Sequence, residues 1–380
     1  MALHKAKIKV VQIIADSDLS GGPKHVLGLL KNLDKDLFEC FLICPPGQLS
    51  IEAKLIPKVE VANVVMKSKF DIISMFEIHG EIEKIRADKN PFGPIIIHLH
   101  GARAGLLGGF AVKRNIPIIY TEHRYDAGYH LKNPVNEFIQ KMVLKRLLKK
   151  SKSVIAVSGS VKDFLTKSGM AAKEKIQVIP NGIELQLTTY NLQEPKKIKE
   201  GNKAPVIGTV GNLNIQKGQK YLVQAMVEIL QHYPLATLEI IGEGPLREDL
   251  ESLAEDLKIK NRVALLGARK DVFAHLRHWD VFVLPSIAET FGIAILEAMQ
   301  AGVPVVASKV GGILDIIDHR SEGILVSPRD PAEIAEAVKE ILDHPAFAAK
   351  LKKAGRDRVK DFDWKKVIKE IEELYLSVTN

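Results

Sequence analysis

The 380-residue sequence is poor in cysteine, with two, and in aromatic residues, at 6%; it carries 27 glycines and 18 prolines. Each shortage excludes something. Cys40 and Cys44 share one apolar run, Glu39-Cys40-Phe41-Leu42-Ile43-Cys44. Four residues along a strand span about 13 Å at ~3.3 Å per residue, beyond the roughly 7 Å that a disulfide can bridge. With no pair to make and no metal-ligand spacing, a reducing compartment is expected. The glycine and proline content leaves no room for a collagenous or low-complexity chain. The apolar segment Ile8–Ala15 is too short to cross a bilayer, and no small-residue cleavage site follows it, so a cytoplasmic location is expected. There is no phosphate-binding P-loop. No recognition-helix motif and no interleaving of basic and aromatic residues supports nucleic acid as a partner.

What is present is globular material, 46% hydrophobic and 26% charged, in a length that suits about two domains. The net charge of +8 is unevenly placed: residues 1–183 carry +11 and residues 184–380 carry −3. Such asymmetry points to two domains with different partners. Short apolar runs predict strands at Ile8–Ala15, Phe38–Cys44, Val61–Met66, Ile95–His100, Ile116–Thr121, Ser153–Ser158 and Lys175–Ile179. Helical spacing lies between them, as at Val26, Leu29, Leu30 and Leu33, or at Ile72, Met75, Phe76, Ile82 and Ile85. The polar, aperiodic stretch 186–204 reads as a linker. Strands then resume at Val206–Val210, Thr237–Ile241, Val263–Leu266, Val281–Leu284, Val303–Ala307 and Gly323–Val326, again alternating with helices. Strands apolar throughout and separated by helices imply parallel sheets covered on both faces. The fold class is therefore α/β, with two doubly wound Rossmann-like domains facing across a cleft. The expected boundaries are 1–183, 184–361 and a closing helix, 362–380, packed back on the first domain. Ligands of such sheets bind beyond the carboxyl ends of the strands.

The segment Pro285-Ser286-Ile287-Ala288-Glu289-Thr290-Phe291-Gly292-Ile293 follows a predicted strand and opens a helix to about Ala301. Backbone N–H groups at Phe291, Gly292 and Ile293 would form an anion site at the positive end of that helix. Glu289 and Glu297 flank it, suited to the hydroxyls of a ribose and a sugar; each also reads as a helix-capping or solvated acid. Gly21-Gly22 lies between a strand and a helix, where bare backbone can approach a phosphate or simply make a tight turn. Lys217, just before a helix, can place an ammonium on a bound phosphate as a point charge.

These segments together resemble the GT-B retaining glycosyltransferases of family 4, whose signature is two glutamates separated by seven residues. Glu289 and Glu297 have that spacing, in a Pro-Ser…Glu-x-Phe-Gly…Glu-Ala context followed by Ala301-Gly302-Val303-Pro304 and Gly311-Gly312. Gly21-Gly22-Pro23-Lys24-His25-Val26, His98-Leu99-His100, Thr121-Glu122-His123, Val157-Ser158, Pro180-Asn181-Gly182, Trp364 and Tyr375 fit further landmarks, so the resemblance covers essentially the whole chain. It implies catalytic roles for His123, Lys217 and Glu289, with His123 beside the donor sugar. It implies a donor site built from Gly22, Asn212, Gly242, Phe291, Gly292, Ile293 and Glu297. Asn212 departs from the pattern, because the family commonly has a basic residue there; Arg103, Lys24 and Arg247 are candidates to replace its charge.

The implied activity is transfer of a sugar from a nucleotide diphosphate sugar, UDP-sugars by default, to an acceptor hydroxyl on a cell-envelope glycan or glycolipid. The implied reaction retains configuration and needs no metal or other cofactor. The alternatives are a nucleotide-sugar 2-epimerase on the same fold and a non-catalytic scaffold. Three lookalikes are discounted: Asp16-Ser17-Asp18 as a metal motif, His98 and His100 as a zinc pair, and Gly242-Glu243-Gly244 as a dinucleotide fingerprint, where Arg247 replaces the third glycine. The run Lys141–Lys152 has six cations in twelve residues, and Val143, Leu144, Leu147 and Leu148 form an apolar stripe. Lys141, Lys145, Arg146 and Lys149 thus make either a solvated helix face or a surface for an anionic acceptor or the inner face of a membrane.

Overall fold

The computed structural model describes residues 6–18, 21–69, 71–87, 93–113, 115–123, 134–185 and 204–379. The linker reading, 186–204, lies outside the described residues except for residue 204. The chain divides into two compact units, Met1–Gly182 with Trp364–Asn380, and Ile183–Asp363.

The first unit runs β1 (Ile8–Ile14), α1 (Gly21–Asn32), β2 (Phe38–Cys44), α2 (Gln48–Lys54), β3 (Val59–Asn63), α3 (Ile72–Ala87), β4 (Ile95–His100), α4 (Gly101–Ala111), β5 (Ile118–Glu122), α5 (Pro134–Lys150), β6 (Ser153–Ala156), α6 (Gly159–Lys167) and β7 (Ile176–Val178). Its seven strands are parallel, in the order β3-β2-β1-β4-β5-β6-β7. All seven residues of β1 are buried, as an apolar central strand covered on both faces requires. Cys40 and Cys44 are free and buried on β2, and burial pushes the Cys44 thiol up to about 12. Val26, Leu29, Leu30 and Leu33 line the core as predicted.

Several predicted bounds shift, and two of the differences have a clear physical cause. The third strand is Val59–Asn63 rather than Val61–Met66, because the register with β2 ends at Cys44 and Asn63; the Val64 N–H makes a last bond to the Cys44 carbonyl at 3.0 Å, and Val64 and Met66 are buried beyond the strand. On α3 the buried residues are Ser74, Ile78, Ile82 and Ile85, whereas Ile72 and Phe76 face solvent at 64% and 73% exposure. The i+4 rows from Ser74 and Ile78 form the contact face, so the small serine rather than a large apolar residue occupies its first turn.

The second unit runs β8 (Val206–Val210), α7 (Gln219–His232), β9 (Thr237–Ile241), α8 (Arg247–Asp256), β10 (Val263–Gly267), α9 (Val272–Leu276), β11 (Val281–Leu284), α10 (Ile293–Ala301), β12 (Val305–Ser308), β13 (Ile324–Val326), α11 (Pro331–Asp343) and α12 (Pro345–Val359). Its parallel sheet has the order β10-β9-β8-β11-β12-β13. Chain direction across the sheet reverses at β1/β4 in the first unit and at β8/β11 in the second, the switch points where doubly wound folds bind ligands.

The last helix, α13 (Trp364–Thr379), belongs to the first unit and packs on α1. Its Trp364 is wedged between two glycines: a Cβ at Gly28 or at Gly182 would lie 2.4 Å from the indole. Among the described residues no helix is long and apolar enough to cross a membrane.

Candidate active site

In the second unit, four strand-end loops meet through their backbones. After β8, the side chain of Asn214 accepts the Lys217 N–H at 3.1 Å and caps a single 3-10 turn, Ile215–Lys217. Gly218 follows in the left-handed region at φ 63°, and a Cβ there would lie 2.2 Å from the Pro285 carbonyl oxygen. Only glycine meets both demands. The loop after β11 answers from its side: Ile287 and Ala288 donate their N–H groups to the Gln216 carbonyl at 2.7 and 3.3 Å. This clasp lays the Lys217 ammonium directly on a carboxylate oxygen of Glu289, in an ion pair whose side chains are 25% and 10% exposed. Glu289 is held at its backbone too, where its carbonyl accepts the Gly312 N–H at 2.9 Å. A Cβ at Gly312 would strike the Thr290 carbonyl oxygen at 2.1 Å, and one at Gly242, which follows β9 with φ 142°, would strike that of Gly211 at 2.0 Å.

Gly292, at φ 105°, turns the chain into α10. Phe291 points its ring into the core against Phe362, with centroids 5.6 Å apart, so what it can offer a ligand is backbone. Ile293 and Glu297 lie one turn apart on the half-buried side of α10. Asn212 is exposed, and its carbonyl accepts from the Gln219 side chain at 3.1 Å. Arg247 is engaged by Glu243, Glu251 and the Leu265 carbonyl at 3.3, 3.0 and 3.0 Å. The structure thus brings Lys217, Glu289, Gly292 and the start of α10 together, with Gly242 and Asn212 on adjoining loops.

In the first unit, Gly22 and His123 are neighbours. A Cβ at Gly22 would make ordinary contacts of 3.8 and 3.9 Å with the His123 ring, so packing does not demand the glycine and its bare backbone lies beside the imidazole. His123 stacks on His100, with centroids 5.5 Å apart, and meets His25 edge-on at 5.1 Å. The predicted basic residues lie apart on α5, where Lys145, Arg146 and Lys149 are exposed and Lys141 is half-buried. Leu144, Leu147 and Leu148 are buried as the stripe requires, and Val143 is half-buried.

Sequence reasoning missed His25 and Gln12 and gave Tyr375 no chemical role. His25 was legible only as one letter of a glycine loop, yet it is 1% exposed and lies at the centre of the histidine cluster. Neither of its ring nitrogens has a hydrogen-bond partner, and nor does the buried Asn181 side-chain oxygen. Burial lowers its pKa to about 4. His25, His100 and His123 each offer a ring nitrogen within 4.8 Å of the others. That is the number and kind of ligand of a three-histidine zinc set, but His100 and His123 already satisfy one another at 3.2 Å.

Comparison with known proteins decides the family. The description Glycosyltransferase Family 4 matches residues 19–187, and the description Glycosyl transferases group 1 matches residues 191–358. The chain belongs to the family 4 glycosyltransferases, of GT-B fold. This glycosyltransferase is 37% identical over 231 residues to an uncharacterized glycosyltransferase of Methanocaldococcus jannaschii, spanning 58% of this chain and only 59% of that protein. It is 30% identical over 305 residues to a glycogen synthase of Mycobacterium tuberculosis, covering 78% and 72%. Over 390 residues, 98% of each chain, it is 27% identical to the UDP-Gal:alpha-D-GlcNAc-diphosphoundecaprenol alpha-1,3-galactosyltransferase of Escherichia coli. The solved structure of Anabaena HepE with UDP and glucose shares the fold, with a TM-score of 0.78 at 20% identity, covering 97% and 99%.

The glycosyltransferase keeps three imidazoles neutral in its first unit. Burial holds His98 and His100 well below 6.5, helped by their neighbouring rings, and His25 at about 4. The unfolded chain takes up these protons near pH 6.5 and the folded chain does not. Stability therefore falls as pH drops from about 6.5 toward 4, by up to ~1.4 kcal/mol per pH unit for each imidazole. Urea midpoints followed at pH 7.5 and pH 5.0 are expected to be clearly lower at pH 5.0, and equal midpoints would contradict the burial.

Proposed function

We propose that this glycosyltransferase moves a sugar from a UDP-sugar to a hydroxyl of a lipid-linked or cell-envelope glycan, with retention of configuration and without a metal. The observation that carries the reading is the Lys217–Glu289 pair, clasped at the switch point of the second sheet beside the first turn of α10. Cleavage of the sugar–oxygen bond loads negative charge onto the departing diphosphate. Lys217 and the backbone N–H groups from Phe291 to Ile293 are the groups that would stabilise it. Pairing with Glu289 holds the lysine in place before the donor arrives, so less side-chain freedom is lost on binding. Glu289 would then accept hydrogen bonds from the sugar and Glu297 from the ribose. The family resemblance assigns His123 and Gly22 to the reaction as well. The acceptor attacks from the face the leaving group departs from, and a phosphate oxygen takes its proton.

UDP as carrier is supported by the UDP-bound relative of this fold and by the UDP-galactose donor in the name of the Escherichia coli enzyme. A lipid-linked acceptor is supported by that enzyme's diphosphoundecaprenol substrate and by the +11 charge of residues 1–183. On α5, Phe138 and Met142, 67% and 54% exposed, accompany Lys145, Arg146 and Lys149, which suits peripheral contact with an anionic leaflet.

Nucleotide release from a panel of UDP-, GDP- and ADP-sugars, with and without EDTA, tests the reaction. Donor-selective release of UDP that survives EDTA is expected. Lys217→Ala and Glu289→Ala should each lower kcat at least ~100-fold in protein that remains folded; near-normal turnover in both, with folding intact, would rule out this site. Cosedimentation with phosphatidylglycerol vesicles should weaken when Lys145→Glu and Lys149→Glu are combined. Binding indifferent to both changes would remove the membrane contact.

A further inference from the structure

A buried chain of hydrogen bonds joins the C-terminal helix to His123. Thr121 Oγ1 lies 2.7 Å from His98 Nε2, and His98 Nδ1 lies 2.6 Å from the Tyr375 hydroxyl. The Gln12 side-chain nitrogen is 2.9 Å from that hydroxyl, and its oxygen is 2.7 Å from His100 Nε2. His100 Nδ1 then meets His123 Nε2 at 3.2 Å. Thr121, His98, Tyr375 and Gln12 are fully buried, His100 is 3% exposed, and 363 residues separate Gln12 from Tyr375.

Elementary donor–acceptor chemistry gives this chain a direction. An amide oxygen only accepts, so His100 Nε2 carries the proton. Burial keeps the His100 ring neutral, so its Nδ1 is a bare acceptor, and the His123 Nε2 facing it must carry a proton whatever the charge of the His123 ring. In the other direction, the Gln12 amide N–H donates to the Tyr375 oxygen. The phenol, kept protonated by burial, donates to His98 Nδ1, and His98 Nε2–H donates to Thr121. Every bond along the chain then has one donor and one acceptor. Turning the Gln12 amide over would reverse every proton and make His123 Nε2 an acceptor. The structure holds the orientation in which the Gln12 nitrogen faces the Tyr375 hydroxyl and the Gln12 oxygen faces His100.

We propose that Tyr375 and Gln12 are positioning residues for His123: acting through His100, they hold a proton on its Nε2, so that the neutral ring accepts only through Nδ1. The tautomer follows from the hydrogen-bond chain with the Gln12 oxygen on His100 and its nitrogen on Tyr375; its consequence for turnover rests on the reading of His123 as a residue that contacts the sugar. An imidazole fixed as an acceptor orients a sugar hydroxyl as a donor, and one that exchanges tautomers does so only part of the time.

Nitrogen-15 NMR of the full chain, labelled at histidine and held above pH 7.5 to keep the ring neutral, reads the tautomer directly. His100→Asn and His123→Asn assign the two signals. The wild type is expected to show the Nε2–H form for both rings. Tyr375→Phe should give mixed tautomers at both, with kcat about 10-fold lower and the donor KM within about 2-fold, the cost of one misdirected hydrogen bond. Gln12→Leu should scramble the same two rings and serves if the tyrosine variant folds poorly. An Nδ1–H His123 in the wild type would overturn the proposal, as would an unchanged His123 signal in both variants, even with activity lost. Scrambled tautomers in a protein whose wild type turns over no donor would uphold the chain and reject the transferase reading instead.

Discussion

Gly218 and Gly312 let loops of the second unit lie backbone against backbone, and that contact is what the site's electrostatics depend on. Neither position leaves room for a side chain: the nearest carbonyl oxygens would be 2.2 and 2.1 Å from a Cβ. The contact registers the loop after β8 on the loop after β11, and the registration places a lysine on a glutamate. A cation held this way is set by backbone geometry rather than by its own flexible stem. The same loops end at the first turn of α10, where unpaired N–H groups and the helix dipole add positive potential without a further charged side chain.

The first unit solves a different problem. It buries histidines, a glutamine, a threonine and a tyrosine at the centre of its sheet, where polar groups cost free energy unless each finds a partner. The cost is met by one continuous chain of hydrogen bonds, completed by the tyrosine of α13. Trp364, fitted between Gly28 and Gly182, anchors that helix at its start. The terminal helix therefore does more than cover a face of the core. Its tyrosine links His98 and Thr121 to Gln12 of β1 in a buried polar network that ends at the half-buried imidazole beside Gly22.

Much of the fold was legible because its strands are covered on both faces. Phe38–Cys44, Ile95–His100, Val206–Val210 and Thr237–Ile241 have the predicted bounds, since central strands leave unbroken apolar runs. The edge strand β3 is half-buried, and its pattern misplaced it by two residues at its start. Helix α4, Gly-Ala-Arg-Ala-Gly-Leu-Leu-Gly-Gly-Phe-Ala, carries little helical signal because glycine disfavours helix. Its glycines are there for packing: a Cβ at Gly105, Gly108 or Gly109 would come within 2.7 Å of Tyr120, Leu99 or Leu147. In the site, the Glu289–Glu297 spacing and the glycine-rich turns were visible as local pattern. The ion pair between Lys217 and Glu289 was not, for it joins loops 72 residues apart. His25 and Gln12 were hidden for the same reason, since their environment is built from distant segments.

The claim on which the account turns is that the clasped loops of the second unit hold a nucleotide diphosphate. Calorimetric titration of the intact chain with UDP, alongside GDP and ADP, tests it without any acceptor. The account predicts saturable one-to-one binding of UDP that weakens at least about 10-fold in Lys217→Ala, as loss of a charge-assisted contact to phosphate requires. Absence of binding by all three nucleotides, or UDP affinity unchanged by loss of the lysine, would contradict it.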